Sequence, residues 1–398
     1  MTYLLGVLAF VVALLVSVML HEAGHFVAAK RFGMKATQFM VGFGPTLWSR
    51  KRGETEYGIK GIPLGGYVRI VGYTPLEEIE PGDEERAFFR RPAGHRAAVI
   101  AGGVAMNFIV AFVLLVSVAM TLGQRQSGTA TTAVAAVSPC VPASLSATCL
   151  PGDTVQSPAA RAGLRAGDRI ISFAGIQVRT WDGLRAAIKS QPPGATVAVG
   201  VLRGGRPLEL RITLASVGGS AYVGMTSRVA GGGYRRLGPL DAVTFAGRSI
   251  GQYVKGVGQA LADLPASVPD LFSANRAKTP GGQVGSVVGA TEVSGQIFSA
   301  PVGWQDKTYA YLQLVISVNI FLGALNVLPL LPLDGGHLAV LAYERTRARV
   351  NRWRGRPDPG TVDMAKLLPV TYLVFMVLIG LGVLLILADV FNPLTIPQ

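Results

Sequence analysis

Four long apolar runs constrain this chain more than any other feature. They cover residues 2–29, 97–122, 312–331 and 367–390. A helix needs roughly 20 consecutive apolar residues to cross a bilayer. Each run meets that length, so the spacing predicts a polytopic α-helical membrane protein with four transmembrane helices. Half of the 398 residues are apolar and only 15% are charged, which fits spans in lipid better than one large soluble core. The first run lacks a basic leading region and is too long for a cleaved secretory signal, so it reads as a retained span.

The chain has a net charge of +14, and Lys and Arg cluster in two places next to the apolar runs. Lys30, Arg31, Lys35, Arg50, Lys51 and Arg52 follow the first run. Arg345, Arg347, Arg349, Arg352, Arg354 and Arg356 lie between the third and fourth. The positive-inside rule then places both basic loops in the cytoplasm, and both termini and the long segment between the second and third runs outside. The basic residues are read as topology signals and partners for membrane lipids. No reading element accompanies them, so nucleic acid is not an expected partner. Cys140 and Cys149 fall nine positions apart in the outer segment, where a disulfide between them is permitted.

The end of the first run carries groups that lipid disfavours, in the stretch "VSVMLHEAGHFVAAK". His21 and His25 are four apart and share one helix face. Their imidazoles can hold one divalent metal, with Glu22 alongside as general base: the H-E-x-x-H pattern of zinc hydrolases. Ionisable groups inside a span are costly and mark function. A catalytic zinc wants a third protein ligand. Asp334, in "NVLPLLPLDGGH" at the end of the third run, is the favoured candidate, because Pro329 and Pro332 break the helix there and two glycines follow. His337 is the alternative, as ligand or as supporting donor. His95 shows no partner pattern and reads as an interfacial histidine.

Between the runs the sequence predicts further elements. Residues 37–72 alternate aromatic, β-branched and glycine residues around the polar turn "SRKRGE", as a β-hairpin does. Their apolarity places this hairpin or sheet against the membrane, where non-helical backbone needs protein or a wet cavity beside it. The stretch "SPAARAGLRAGDRIISFAGIQV" and the two alternating strands after it resemble a bacterial PDZ domain in circularly permuted order. That resemblance implies an α+β fold whose carboxylate-binding loop and strand correspond to Tyr222, Val223, Gly224 and Met225. Such a groove takes an extended peptide as an added strand. Residues 240–272 read as an amphipathic helical stretch interrupted at Leu264-Pro265, outside the membrane or on its surface.

The expected domain organisation is residues 1–36 (first helix with HEAGH), 37–96 (membrane-associated β-hairpin and cytoplasmic loop), 97–123 (second helix) and 124–232 (extracytoplasmic PDZ domain). Residues 233–309 (outer amphipathic and Gly-rich segment), 310–340 (third helix with the LDGG motif), 341–366 (basic loop) and 367–398 (fourth helix and C-terminus) complete it.

HEAGH in the first span, the PDZ-like region after the second and "NVLPLLPLDGG" in the third together resemble the site-2 protease family of intramembrane zinc metalloproteases. The match runs over essentially the whole chain. The single PDZ and the cysteine pair make it most similar to the actinobacterial, including mycobacterial, branch. The resemblance implies one zinc ion held by His21, His25 and Asp334, with Glu22 as general base and Asn326 near the substrate or oxyanion. "GGVAMN" matches the family's G-x-x-x-N with Gly103 and Asn107, and Asn107 is expected at the substrate. Interhelical hydrogen bonding is the plainer role for Asn107, as for Asn319. Where the family often has N-x-x-P-x-P, here Pro332 stands one position later. The implied activity is endopeptidase cleavage of single-span membrane proteins, such as anti-sigma factors or remnant signal peptides, near the cytoplasmic side. It would be the second cut in regulated intramembrane proteolysis, with an ectodomain remnant or peptide at the PDZ domain. The alternative is a non-enzymatic PDZ-bearing membrane receptor or scaffold with a structural metal.

Overall fold

The structure is a computed structural model that describes residues 1–73, 79–142, 155–273, 276, 282, 284–357 and 360–393. The chain divides into two compact units. Met1–Leu122 and Arg236–Gln398 form the first, and Gly123–Arg235 the second.

The first unit opens with α1 (Thr2–Arg31), the hairpin strands β1 (Ala36–Arg52) and β2 (Thr55–Ile70), and α2 (Ala93–Thr121). In the second unit, β3 (Gln124–Gln126) and β4 (Thr129–Val137) lead to α3 (Pro158–Arg161), β5 (Arg169–Phe173), β6 (Ile176–Gln177) and α4 (Trp181–Lys189). There follow β7 (Thr196–Arg203), β8 (Arg206–Thr213), β9 (Ala215–Val217), β10 (Ser220–Tyr222), β11 (Met225–Ala230) and β12 (Gly233–Arg235). The first unit resumes with α5 (Pro239–Ser267), α6 (Val287–Ser299), α7 (Trp304–Val327), α8 (Asp334–Trp353) and α9 (Leu368–Phe391).

Among the described residues four helices are long and apolar enough to cross a membrane: Thr2–Arg31, Ala93–Thr121, Trp304–Val327 and Ala365–Phe391. The third ends earlier than its apolar run. Leu328 is extended, with ψ 135°, because a following proline ring clashes with a helical predecessor.

Helices α1 and α2 cross where both lack side chains. A Cβ on Gly24 would meet the Gly102 carbonyl carbon at 2.6 Å, and one on Gly102 would meet the Gly24 oxygen at 2.6 Å. Small residues let helix backbones approach closely where lipid supplies no hydrophobic drive. Leu115 and Val118 of α2, Ile316 and Ile320 of α7 and Ala246 of α5 then share one buried cluster.

The β1–β2 hairpin folds back on itself. Residues 38–41 pair on one side with 66–69 and on the other with 56–59, while residues 46–52 pair with 55–60. Gly42 and Gly44 make the bend possible, with φ of 83° and 84°, a region that side chains disfavour. The result is a small twisted sheet whose segment 66–70 lies against α1.

The stretch after the second unit does not lie free of the bundle. Helix α5 turns Ala242, Ala246 and Ser249 inward. The helix continues through Pro265 to Ser267 instead of breaking at Leu264, and a 3₁₀ turn over Val268–Phe272 follows. Helix α6 packs on α1, where the Ser294 hydroxyl donates to the Gly6 carbonyl at 2.8 Å. The Asp389 carboxylate of α9 accepts from the Ser286 backbone N–H and hydroxyl, each at 2.6 Å, and pairs with buried Arg276.

In the second unit a six-stranded sheet runs β11-β4-β5-β7-β8, with β6 on β5. Ile170, Phe173, Leu184, Val199, Val201 and Ile212 form its core. Thr180 caps α4 by accepting from the Gly183 N–H at 3.1 Å. Val223 is buried in this core, Gly224 has φ 87°, and Met225 begins edge strand β11. The Val223 and Gly224 carbonyls accept from the Ala159 and Ser138 N–H groups at 2.8 and 2.9 Å. Cys140 is buried and disulfide-bonded. Cys149, its expected partner, lies outside the described residues.

Candidate active site

His21 and His25 lie on consecutive turns near the C-terminal end of α1, both buried. Nineteen positions of helix separate Thr2 from His21, roughly 28 Å at 1.5 Å per residue, so the pair sits near the end of the span that bears Lys30 and Arg31. Helix α2 offers them a bare surface at Gly103, where an added Cβ would come within 2.8 Å of His21 Cε1. Asp334 arrives from the start of α8. Leu328 directs the chain away from α7, and Gly335 and Gly336 allow α8 to begin hard against the end of α7 and the connection: a Cβ on Gly335 would meet the Val327 carbonyl carbon at 2.4 Å, and one on Gly336 the Leu331 nitrogen at 2.5 Å.

Asp334 Oδ2 lies 3.3 Å from Nε2 of both histidines, and the two Nε2 atoms are 3.2 Å apart. The ligand atoms of these three residues lie within 4.8 Å of one another, the one such metal-competent group of three or more among the described residues. His25 Nδ1 is 2.8 Å from the Val99 carbonyl. A carbonyl only accepts, so Nδ1 carries the proton and Nε2 presents a lone pair. Asp334 Oδ2 is buried with no hydrogen-bond partner. The His25 Nε2 lone pair and the Asp334 carboxylate oxygen thus converge on one point with His21 Nε2. Such an arrangement repels itself unless a cation sits there, and two imidazoles with one carboxylate fit zinc with a position left open.

Glu22 faces the same cavity, which measures about 360 Å³ and is lined by His21, His25, Asp334, Asn326, Asn107, Val68 and Tyr73 among others. Its carboxylate accepts the Val68 N–H at 3.1 Å. Asn326 lines this cavity from the last turn of α7. Asn107 is fully buried, and its amide is 3.1 Å from His21 Nδ1. His337 is outside the ligand cluster and packs against Tyr73, ring centroids 5.5 Å apart. Burial beside Asp334 and Glu22 pushes the Tyr73 phenol well above its ordinary range, so it stays protonated. His95 stacks on Phe32 at 4.3 Å, away from the cluster. Asn319 is buried and donates to Ser17 Oγ and to the Val315 carbonyl, both at 2.9 Å. Tyr222, Val223, Gly224 and Met225 belong to the second unit.

Val68, Val99 and Tyr73 had no signal in the sequence. Val68 and Val99 act through backbone atoms, which any residue type supplies. Tyr73 follows the hairpin and becomes part of the cavity only through the fold.

The sequence matches the family model described as peptidase family M50 over residues 9–356. It is 36% identical over 415 residues to the protein named "Zinc metalloprotease Rip1" of Mycobacterium tuberculosis (strain ATCC 25618 / H37Rv), covering 100% of both chains. It is 36% identical over 417 residues to the protein of the same name in Mycolicibacterium smegmatis, again covering 100% of both. It is also 30% identical over 396 residues to "Putative zinc metalloprotease all3971" of a Nostoc species, covering 97% of this chain and 96% of that one. These matches displace the scaffold alternative. The chain belongs to peptidase family M50, the site-2 protease family, and is a multi-pass membrane zinc metalloprotease.

Proposed function

We propose that the chain is an intramembrane endopeptidase that cuts single-span membrane proteins inside the bilayer, near its cytoplasmic face. The observation that carries this reading is the convergence of His21, His25 and Asp334 beside Glu22 at the basic end of a membrane-spanning helix. His21, His25 and Asp334 would hold zinc, which supplies Lewis acidity that polarises a scissile carbonyl and makes water a stronger acid. Glu22 removes the proton from the attacking water and delivers it to the leaving amine. The Asn326 amide donates to the oxygen on which charge develops.

A helical substrate must unwind before its carbonyls can be attacked, and lipid offers the freed groups no partners. The edge segment 66–70 supports a clamp. Val68 directs its N–H away from β1, and in a strand alternate residues face the same way, so Gly66 and Ile70 share that edge. An extended substrate segment pairs there as an added strand. By this reading the basic loops are cytoplasmic and contact anionic lipid, while the second unit is an extracytoplasmic PDZ domain. Its Tyr222–Met225 region receives a peptide or ectodomain remnant, and Cys140 is bridged to Cys149. The enzyme then makes the second cut of regulated intramembrane proteolysis, on substrates such as anti-sigma factors or remnant signal peptides.

The test is turnover of a single-span reporter by purified wild type and Glu22→Gln. Cleavage by wild type and its loss in the variant, with zinc content unchanged, is expected. Equal cleavage by both overturns the reading.

A further inference from the structure

Helix α2 meets the two histidines with two different groups. The Val99 carbonyl accepts from His25 Nδ1 at 2.8 Å. Eight residues further along the same helix, Asn107 reaches His21 Nδ1 at 3.1 Å. Both contacts are made to Nδ1, but with different chemistry: the atom facing His21 is the amide nitrogen Nδ2, and Asn107 Oδ1 is buried with no partner. Which end of an amide is oxygen is assigned from its neighbours.

The neighbours here decide it. An amide N–H facing Nδ1 requires an unprotonated Nδ1, which puts the His21 proton on Nε2. That proton would point at Asp334 Oδ2 and His25 Nε2, 3.3 and 3.2 Å away, and would block Nε2 as a ligand. Turning the amide over places Oδ1 on Nδ1–H and frees the Nε2 lone pair, matching what Val99 does for His25. The unturned amide leaves its Oδ1 buried with no donor, so it gains nothing at its far end, and ligand chemistry selects the turned one. We propose that Asn107 is a positioning residue for the metal site: its side-chain oxygen accepts the His21 Nδ1–H and fixes the tautomer and ring plane in which Nε2 binds zinc. The inference rests on the zinc-site reading above. It assigns Asn107 to the histidine, not to the substrate.

Partners of this kind commonly govern metal affinity by about 10–100-fold. The experiment measures zinc affinity by competition with a chelator, and the absorption of the cobalt-loaded protein, for wild type, Asn107→Leu and Asn107→Asp in detergent. Leucine keeps the size and removes the acceptor. Aspartate keeps the acceptor and has no N–H to donate. The expected result is an affinity loss of about 10–100-fold in Asn107→Leu with a shifted cobalt spectrum, and wild-type affinity or tighter, with the wild-type spectrum, in Asn107→Asp. Helicity by circular dichroism checks the fold, and if Asn107→Leu does not fold, Asn107→Ala takes its place. Unchanged affinity in the acceptor-less variant overturns the proposal, as does an aspartate variant as weak as leucine. A wild type that binds no zinc overturns the site reading and this inference together.

Discussion

The backbone N–H of Val68 donates to the carboxylate of Glu22 across 3.1 Å. One bond therefore ties the edge of the β1–β2 sheet to the proposed general base. The strand that would align the substrate and the group that would activate water are fixed to each other, so their relative placement does not depend on the long hairpin's distant turn.

Val68→Pro tests that coupling. Proline is tolerated at an edge strand where the lost N–H faces away from the ladder, so the sheet should persist. A hydrogen bond to a charged group contributes about 1.5–3 kcal/mol. Cleavage of the reporter should fall by on the order of tenfold or more while zinc content stays at the wild-type level. Unchanged turnover would remove both the clamp and the positioning of Glu22.

Gly103→Ala probes the bare surface behind the ligands. Its methyl would lie within 2.8 Å of His21 Cε1, and the rings must move. Overpacking of this kind costs about 1–3 kcal/mol. Zinc affinity should drop by tenfold or more with helicity retained, as read by metal competition and circular dichroism.

The turn of the hairpin carries a pH signature. Glu54 accepts from Arg86 at 2.6 and 2.9 Å and from Lys30 at 2.5 Å. The Arg86 guanidinium first, then Lys30, hold its pKa down from 4.5 to about 2. A depressed carboxylate stabilises the fold above its unfolded pKa and loses that contribution as pH falls through the folded one. Wild type should therefore unfold at a higher temperature than Glu54→Gln above about pH 4.5, with the gap closing toward pH 2. A gap independent of pH would show that the ion pairs contribute nothing there.

Arg276 and Asp389 are almost wholly buried as a pair at the end of α9, which also holds the start of α6 through Ser286 and Gly289. Removing one partner leaves an uncompensated buried charge at a cost of about 3–5 kcal/mol, whereas replacing both with apolar residues is often near neutral. Arg276→Met should lower the thermal midpoint strongly. The double variant Arg276→Met with Asp389→Leu should recover much of the loss, offset by the bonds that Ser286 and Gly289 lose.

The apolar helices and the pairing of His21 with His25 on one helix face were legible in the sequence because apolar length and a four-residue histidine spacing are local signals. Asp334 was legible at long range because prolines and glycines mark where α7 must stop and α8 begin. The internal folding of the hairpin was not, since the double pairing of residues 38–41 depends on register and not on alternation alone. Nor was the docking of α6 on α1, which uses Gly6, Ser294 and Tyr3, residues too ordinary in a span to stand out. Backbone partners such as Val68 and Val99 leave no trace in residue identity.

The most direct measurement of the central claim is the position of the cut. Wild type and Glu22→Gln would be reconstituted in vesicles with a single-span reporter, and the products mapped by mass spectrometry. The account predicts a new terminus inside the reporter's apolar segment, toward its cytoplasmic end, produced by wild type and absent with the variant at equal zinc content. A cut outside the apolar segment, or the same cut made by Glu22→Gln, would contradict it.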